Sequence, residues 1–215
     1  PSGATLGARV EGLDLAQPMS DETFHVLLKA LGQYGVLSYP KQGLTSAQLK
    51  NFAQRFGQLE VNVAGLYQEP GMPEVMRLSN MVENGQPLGL SDAGQDWHTD
   101  MSYSRMIAFT NVLYGIKIPH RDGQPLGNTE FCNMHAAYEG LPQEWKTRLA
   151  GKTVLHDFDK FWEMMRRERG STRPPLTPEQ RAAKPPVSHP IFLLHPITGS
   201  ACCTAIRVMP CALMA

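Results

Sequence analysis

The chain is 215 residues long, 42% hydrophobic and 19% charged, with 19 glycines and 17 prolines. That apolar content fills a sizeable core, while so much glycine and proline favours many turns over long helices. Twenty basic residues against twenty acidic ones give no global field to draw the protein to nucleic acid or an anionic membrane, and no run approaches the ~18 uncharged apolar residues of a membrane helix.

Residues 1–12 have neither the basic start nor the apolar run of a secretory leader. Ser20 caps a helix whose apolar Phe24, Leu27, Leu28 and Leu31 keep a helical period, predicted to end before Gly32. Gly35–Tyr39 reads as a short buried strand closed by Pro40. Thr45 and Gln48 make a capping box that opens a second helix through Leu49, Phe52 and Phe56, stopping at Gly57. Glu74–Ser79 is a predicted strand, and so is Ile107–Ile118, rich in β-branched and aromatic residues. Further strands are expected at Asn128–Cys132, Thr153–Phe158 and Ser188–His195, with helices at Met134–Gly140, Pro142–Leu149 and Asp159–Arg169. Pro142 suits a first-turn position. Gly170–Pro186 holds five prolines and reads as a mobile loop or lid. Of the four cysteines, Cys132 stands alone and Cys202, Cys203 and Cys211 crowd the end, with no CxxC pair; reduced thiols in a cytoplasmic protein are expected. The pattern is α+β, mainly β.

The segment that carries chemistry is Asp96-Trp97-His98-Thr99-Asp100. Residues two apart in extended backbone face the same way, so His98 and Asp100 present an imidazole and a carboxylate together. That donor pair suits a 2-His-1-carboxylate iron(II) site. By itself the triplet is also what a His–Asp hydrogen bond across a turn would need.

The surrounding blocks resemble the taurine / 2,4-dichlorophenoxyacetate dioxygenase family, iron(II)- and 2-oxoglutarate-dependent oxygenases. They are Gly12-Leu13-Asp14-Leu15, Gly35-Val36-Leu37 with Gln42 and Leu44, Phe52-Ala53 with Phe56-Gly57 and Leu59, Trp97-His98-Thr99-Asp100, residues 127–134 with Ala137-Tyr138, and His195-Pro196 with Thr198-Gly199. The resemblance implies a double-stranded β-helix (jelly-roll-like) oxygenase core with flanking helices. It implies His98 and Asp100 as iron ligands and Thr129 as a contact of the 2-oxoglutarate carboxylate, although the family's Gly-Gly-Asp-Thr is here Leu-Gly-Asn-Thr. A half-buried strand threonine is the plainer reading of Thr129. The implied reaction couples decarboxylation of 2-oxoglutarate to succinate with hydroxylation of a small organic anion, a sulfonate or aryloxyalkanoate, by O2. Substrate contacts are expected from Asn62 to Tyr67 and at Asn80.

The family also requires a distal histidine and, shortly beyond it, an arginine that clamps the cosubstrate. Neither is recognisable. His195 with Arg207 has the spacing, but His195 belongs to a block that precedes the distal histidine in the family. His135 and His156 read as structural histidines, and nothing supports His25. After Gly199 the residues show no strand alternation. A back-translation of 201–214, read from the third base of the first codon, can spell Val-Leu-Tyr-Cys-Asn-Pro-Gly-Tyr-Ala-Val-Arg-Ile-Asn, which resembles the family's next strand. The expected organisation is therefore an incomplete dioxygenase-like domain over 1–199, C-terminally truncated, with an aberrant, possibly frameshifted tail over 200–215. Missing core strands would leave apolar edges open, which predicts poor solubility or association into a homo-oligomer. Two alternatives differ in class: a catalytically silent binding or scaffold domain of the same fold, and a zinc hydrolase using His98.

Overall fold

The computed structural model describes residues 1–94 and 97–204, and the backbone of 211–214. Near the N-terminus, β1 (Ala8–Arg9) leads to helix α1 (Asp21–Tyr34), whose end returns the chain so that β2 (Leu37–Ser38) pairs parallel to β1. Ser20 caps α1 by accepting from the Thr23 amide, and Asp21 and Glu22 face the positive end of its dipole. The helix does not stop at Gly32. It runs to Gly35, which takes φ 69° and returns its N–H to the Leu31 carbonyl. Gly32 stays inside because a Cβ there would lie 2.8 Å from Ile197 Cγ2; close approach, not helix termination, is its use.

Helix α2 (Ser46–Gln54) starts on the expected reciprocal capping box of Thr45 and Gln48. Leu15, Leu27 and Phe52 form one buried cluster, flanked by Leu13, Leu44, Phe56 and Val112. The Phe52 ring meets Tyr39 and Phe56 edge to face at 5.6 and 5.4 Å.

Short hairpins follow: β3 (Gln68–Glu69) with β4 (Met72–Met76), β5 (Val82–Glu83) with β6 (Gln86–Pro87), and β7 (His120–Arg121) with β8 (Gln124–Pro125). Helices α3 (Met134–Glu139) and α4 (Gln143–Leu149) come next, with Pro142 at the N-cap of α4, just outside its first turn. Strand β9 (Thr153–His156) runs into α5 (Phe158–Glu168), capped by Asp157. A second buried cluster, Tyr103, Phe158, Trp162 and Leu176, sits on α5.

The region 170–186 is more ordered than a loop. Thr177 and Gln180 make a second capping box, with Pro178 in the first turn, and open α6 (Pro178–Ala183). The expected strand at 188–195 is two strands, β10 (Val187–Pro190) and β11 (Phe192–Leu194). At the buried Ile191 the chain changes partner, from β9 to β12 (Ala201–Cys203). Strand β12 lies in the tail where no strand was expected; β13 (Cys211–Met214) adds to the other edge of β9.

Among the described residues the strands form six small sheets, the largest of three strands, rather than one continuous jelly roll. Residues 107–118 and 128–132 join no ladder, contrary to the strands expected there. Yet burial still alternates from 108 to 114: Val112 packs on the first cluster and the Tyr114 hydroxyl donates to the Gln42 carbonyl, while Phe109 and Leu113 face outward. The period of a strand is present; its hydrogen-bonding neighbour is not.

Candidate metal and cosubstrate site

His98 and Asp100 do converge. His98 Nε2 lies 3.1 Å from Asp100 Oδ1, and the Asn111 amide donates to Oδ2 of the same carboxylate. Asn111 comes from the unpaired 107–118 segment and was not identified from the sequence. Its outward place in the alternation there, next to the H-x-D block, is the signal that could have found it. The Asp100 carboxyl is held below the usual carboxylate range, first by the hydrogen bond from His98, against a burial cost, then by the His98 charge and the Asn111 bond.

The pair fits a metal ion geometrically. Two donors about 2.1 Å from one ion and at right angles to each other stand about 3 Å apart, close to the observed separation. The donor types, an imidazole nitrogen and a hard carboxylate oxygen, are those of an iron(II) site. Among the described residues no group of three His, Cys, Asp or Glu side chains could hold a metal.

Four of the remaining histidines have hydrogen-bond partners of their own. His120 Nδ1 is 2.9 Å from the Ile118 carbonyl and His135 Nδ1 is 2.9 Å from that of Ala201. His195 Nδ1 accepts from the Ile197 and Thr198 amides. His189 Nε2 is 2.9 Å from the Ser104 carbonyl, and its ring lies 5.6 Å from that of His156. His156 is 2% exposed with neither ring nitrogen bonded. His25 is exposed on α1. Arg207 lies outside the described residues.

Thr129 is exposed on irregular backbone between β8 and α3, so it is not a half-buried strand threonine. Asn62 is half-buried and spends its side-chain oxygen on the Ala64 amide, closing a turn with the Gly65 N–H. Tyr67 is half-buried at φ 55°, and Asn80 is exposed. The Asp100 carboxylate is held by His98 and Asn111, not by any of these four.

The segment 170–186 folds over this region. Gln180 Nε2 donates to the Val63 and Ala64 carbonyls at 3.4 and 3.3 Å. Lys184 Nζ donates to Glu60 Oε1 at 2.6 Å and Ser104 Oγ at 2.9 Å. Glu60, Ser104 and Lys184 line a cavity of about 410 Å³, whose wall includes Tyr103. The Tyr103 phenol is raised well above its ordinary value by burial, then by the fields of Asp100 and Glu60, so it stays neutral.

A family model described as "Taurine catabolism dioxygenase TauD, TfdA family" matches residues 1–207. The chain belongs to the TauD/TfdA family, whose dioxygenases use iron(II) and 2-oxoglutarate. It is 31% identical over 202 residues to the alpha-ketoglutarate-dependent 2,4-dichlorophenoxyacetate dioxygenase of Burkholderia sp. (strain RASC), covering 89% of this chain and 64% of that protein. It is 29% identical over 209 residues to pentalenolactone F synthase of Streptomyces avermitilis, covering 92% and 66%. Among solved structures, a taurine dioxygenase from Burkholderia xenovorans superposes with TM-score 0.62 at 22% identity, covering 96% of this chain and 61% of that one. AAD-2 in complex with Mn(II) and N-oxalylglycine, a 2-oxoglutarate analogue, superposes with TM-score 0.61 at 23% identity, covering 93% and 65%. The chain thus spans about two-thirds of the length of the relatives it matches.

Proposed function

We propose that this chain carries the iron(II)- and 2-oxoglutarate-binding part of a dioxygenase that hydroxylates a small organic anion of the aryloxyalkanoate or sulfonate class. The reading includes a double-stranded β-helix (jelly-roll-like) core built mostly from residues 1–199. The observation that carries it is the 3.1 Å approach of His98 Nε2 to Asp100 Oδ1. His98 and Asp100 would hold the iron, and Thr129 would meet the cosubstrate carboxylate. Bound iron supplies the redox chemistry with O2. The chain's own residues orient and exclude water. Asn111 fixes the Asp100 carboxylate so that Oδ1 faces the imidazole, and neutral, buried Tyr103 contributes an apolar wall. A metal held by His98 Nε2 would replace the hydrogen bond to Asp100 Oδ1, with the imidazole proton on Nδ1.

The test is a titration of Fe(II) with 2-oxoglutarate under anaerobic conditions, read by the charge-transfer absorption, then succinate formation in air with an aryloxyalkanoate or a sulfonate present. Wild type gives the band; His98→Ala and Asp100→Ala lose it. Equal metal affinity in all three refutes the assignment. A catalytically silent binding domain is the second reading, favoured by the missing third donor among the described residues. It predicts the band without succinate.

A further inference from the structure

We propose that Arg173 is a positioning residue for His98, acting through Asp92 and Gly94. This deepens, and rests on, the metal-site reading above.

Arg173 lies in the proline-rich segment 170–186, yet its guanidinium is only 7% exposed and its Asp92 partner 18%. Nε and Nη2 donate to Asp92 Oδ1 at 3.2 and 2.9 Å, and Nη2 also approaches the Asp92 carbonyl oxygen at 3.4 Å. The Ser171 hydroxyl donates to Oδ2, so both carboxylate oxygens are pinned. Behind the guanidinium, its carbon lies 4.9 Å from the Trp162 ring centre, and Arg166 Nε donates to the Arg173 carbonyl at 3.0 Å. An ordinary surface pair gains little, because two long side chains must first be ordered. Here the ring, the hydroxyl and the backbone have already ordered them, and removing either charge strands the other away from water. The clamp holds Asp92 in one place.

That place matters because the chain passes directly from Asp92 to the imidazole's flank. Gly94, two residues on, takes φ 71°, and a Cβ built there would lie 4.0 Å from Cε1 of His98. The Gly94 backbone therefore passes beside the imidazole with room for about a methyl group between them, and a shift of 92–94 would change that room. Gln180 and Lys184, also of this segment, reach 60–64 and Ser104, and Arg181 reaches Asp159. Arg173 is instead tied to Asp92, two residues before Gly94. A metal-ligating imidazole needs its ring orientation fixed from outside the coordination sphere, and losing such support typically weakens metal binding about 10-fold or more.

The test compares full-length wild type, Arg173→Gln, Arg173→Lys and Phe52→Leu. The last lowers stability in the other hydrophobic cluster without touching the clamp. Two readouts are taken: the NMR line widths of the His98 ring, and Co(II) affinity by titration. Arg173→Gln broadens the His98 ring signals and raises the Co(II) dissociation constant about 10-fold. Arg173→Lys restores only part, since an ammonium cannot reproduce the fork or the stacking. Phe52→Leu changes neither. If Arg173→Gln lowers the melting temperature but leaves the His98 ring signals as in wild type, Arg173 is a structural clamp only and the proposal falls. If wild type binds no Co(II) through His98, the metal reading fails, while the ring signals still decide the positioning claim.

Discussion

Trp162 joins the core of α5 to the covering segment, and two substitutions separate what its ring and its N–H contribute. The indole is buried in the cluster with Tyr103, Phe158 and Leu176, its ring centre 5.6 Å from that of Phe158. Its Nε1 donates to the Pro174 carbonyl at 2.7 Å, and its face meets Arg173. Trp162→Ala removes the ring, at a cost of about 3–5 kcal/mol for a large buried aromatic. Trp162→Phe keeps most of the volume and removes the donor, leaving the Pro174 carbonyl short of a partner at a cost of about 1–2 kcal/mol. For a chain of this size 1 kcal/mol is worth about 2–4 °C. The expected falls in melting temperature are thus roughly 6–20 °C for Trp162→Ala and 2–8 °C for Trp162→Phe. Differential scanning calorimetry measures both, and limited trypsin digestion follows cleavage after Arg169 and Arg181, Arg173 being protected by the proline that follows it. Trp162→Phe accelerates that cleavage more than its melting shift alone explains, because the lost bond lies in the covering segment. Equal melting shifts for the two variants would refute the division between volume and hydrogen bond; unchanged cleavage in Trp162→Phe would refute the tether.

Two other perturbations test the fold. Gly32→Ala should destabilise α1 although alanine is the better helix former by about 1 kcal/mol, because its Cβ meets Ile197 Cγ2 at 2.8 Å and a β-branched side chain yields poorly; adding Ile197→Ala should recover the loss in urea denaturation. His156 is held below its ordinary value by burial, then by His189, so the folded state takes up its proton less readily than the unfolded chain. Its stabilisation is complete above about pH 6.5, the unfolded value, and is lost as pH falls below it. Urea midpoints measured from pH 8 to 5 should decline, with a shallower decline in His156→Gln; parallel declines would sink that attribution.

The helices were legible because their signals are local. Ser20, the Thr45–Gln48 box and the apolar spacing of Phe24 and Leu27 act within a few residues of themselves. The end of α1 was not, because Gly32 serves a contact with Ile197, 165 positions away in sequence. Helix α6 was hidden by the prolines around it, although Thr177 and Gln180 repeat the box that revealed α2. The strand expectations failed where pairing decides. Ile107–Ile118 keeps strand alternation over 108–114 but finds no ladder, and Ser188–His195 splits where Ile191 passes from one sheet to another. The convergence of His98 and Asp100 was readable from their spacing of two. Asn111 and the Arg173–Asp92 clamp were not, since each joins residues that only the tertiary fold brings together.

Asn111 makes that last point testable at the site itself. Its amide donates to Oδ2 of Asp100 while His98 Nε2 lies at Oδ1, so the carboxylate is held with one oxygen turned to each neighbour. Asn111→Leu keeps the approximate shape and removes the donor. The lost bond has two consequences. The Asp100 carboxyl loses one of the contacts that lower it and moves up toward its ordinary range, so protons compete with metal at higher pH. The freed carboxylate also rotates, and metal affinity falls about 10-fold, as expected when a ligand loses its outer hydrogen bond. Co(II) titrations across pH 4–7 read both effects: the acid limb of binding shifts to higher pH and the plateau affinity drops. A shifted limb with an unchanged plateau assigns Asn111 to charge stabilisation alone. If neither moves, Asp100 is oriented without Asn111, and the unpaired segment 107–118 has no part in shaping the His98–Asp100 pair.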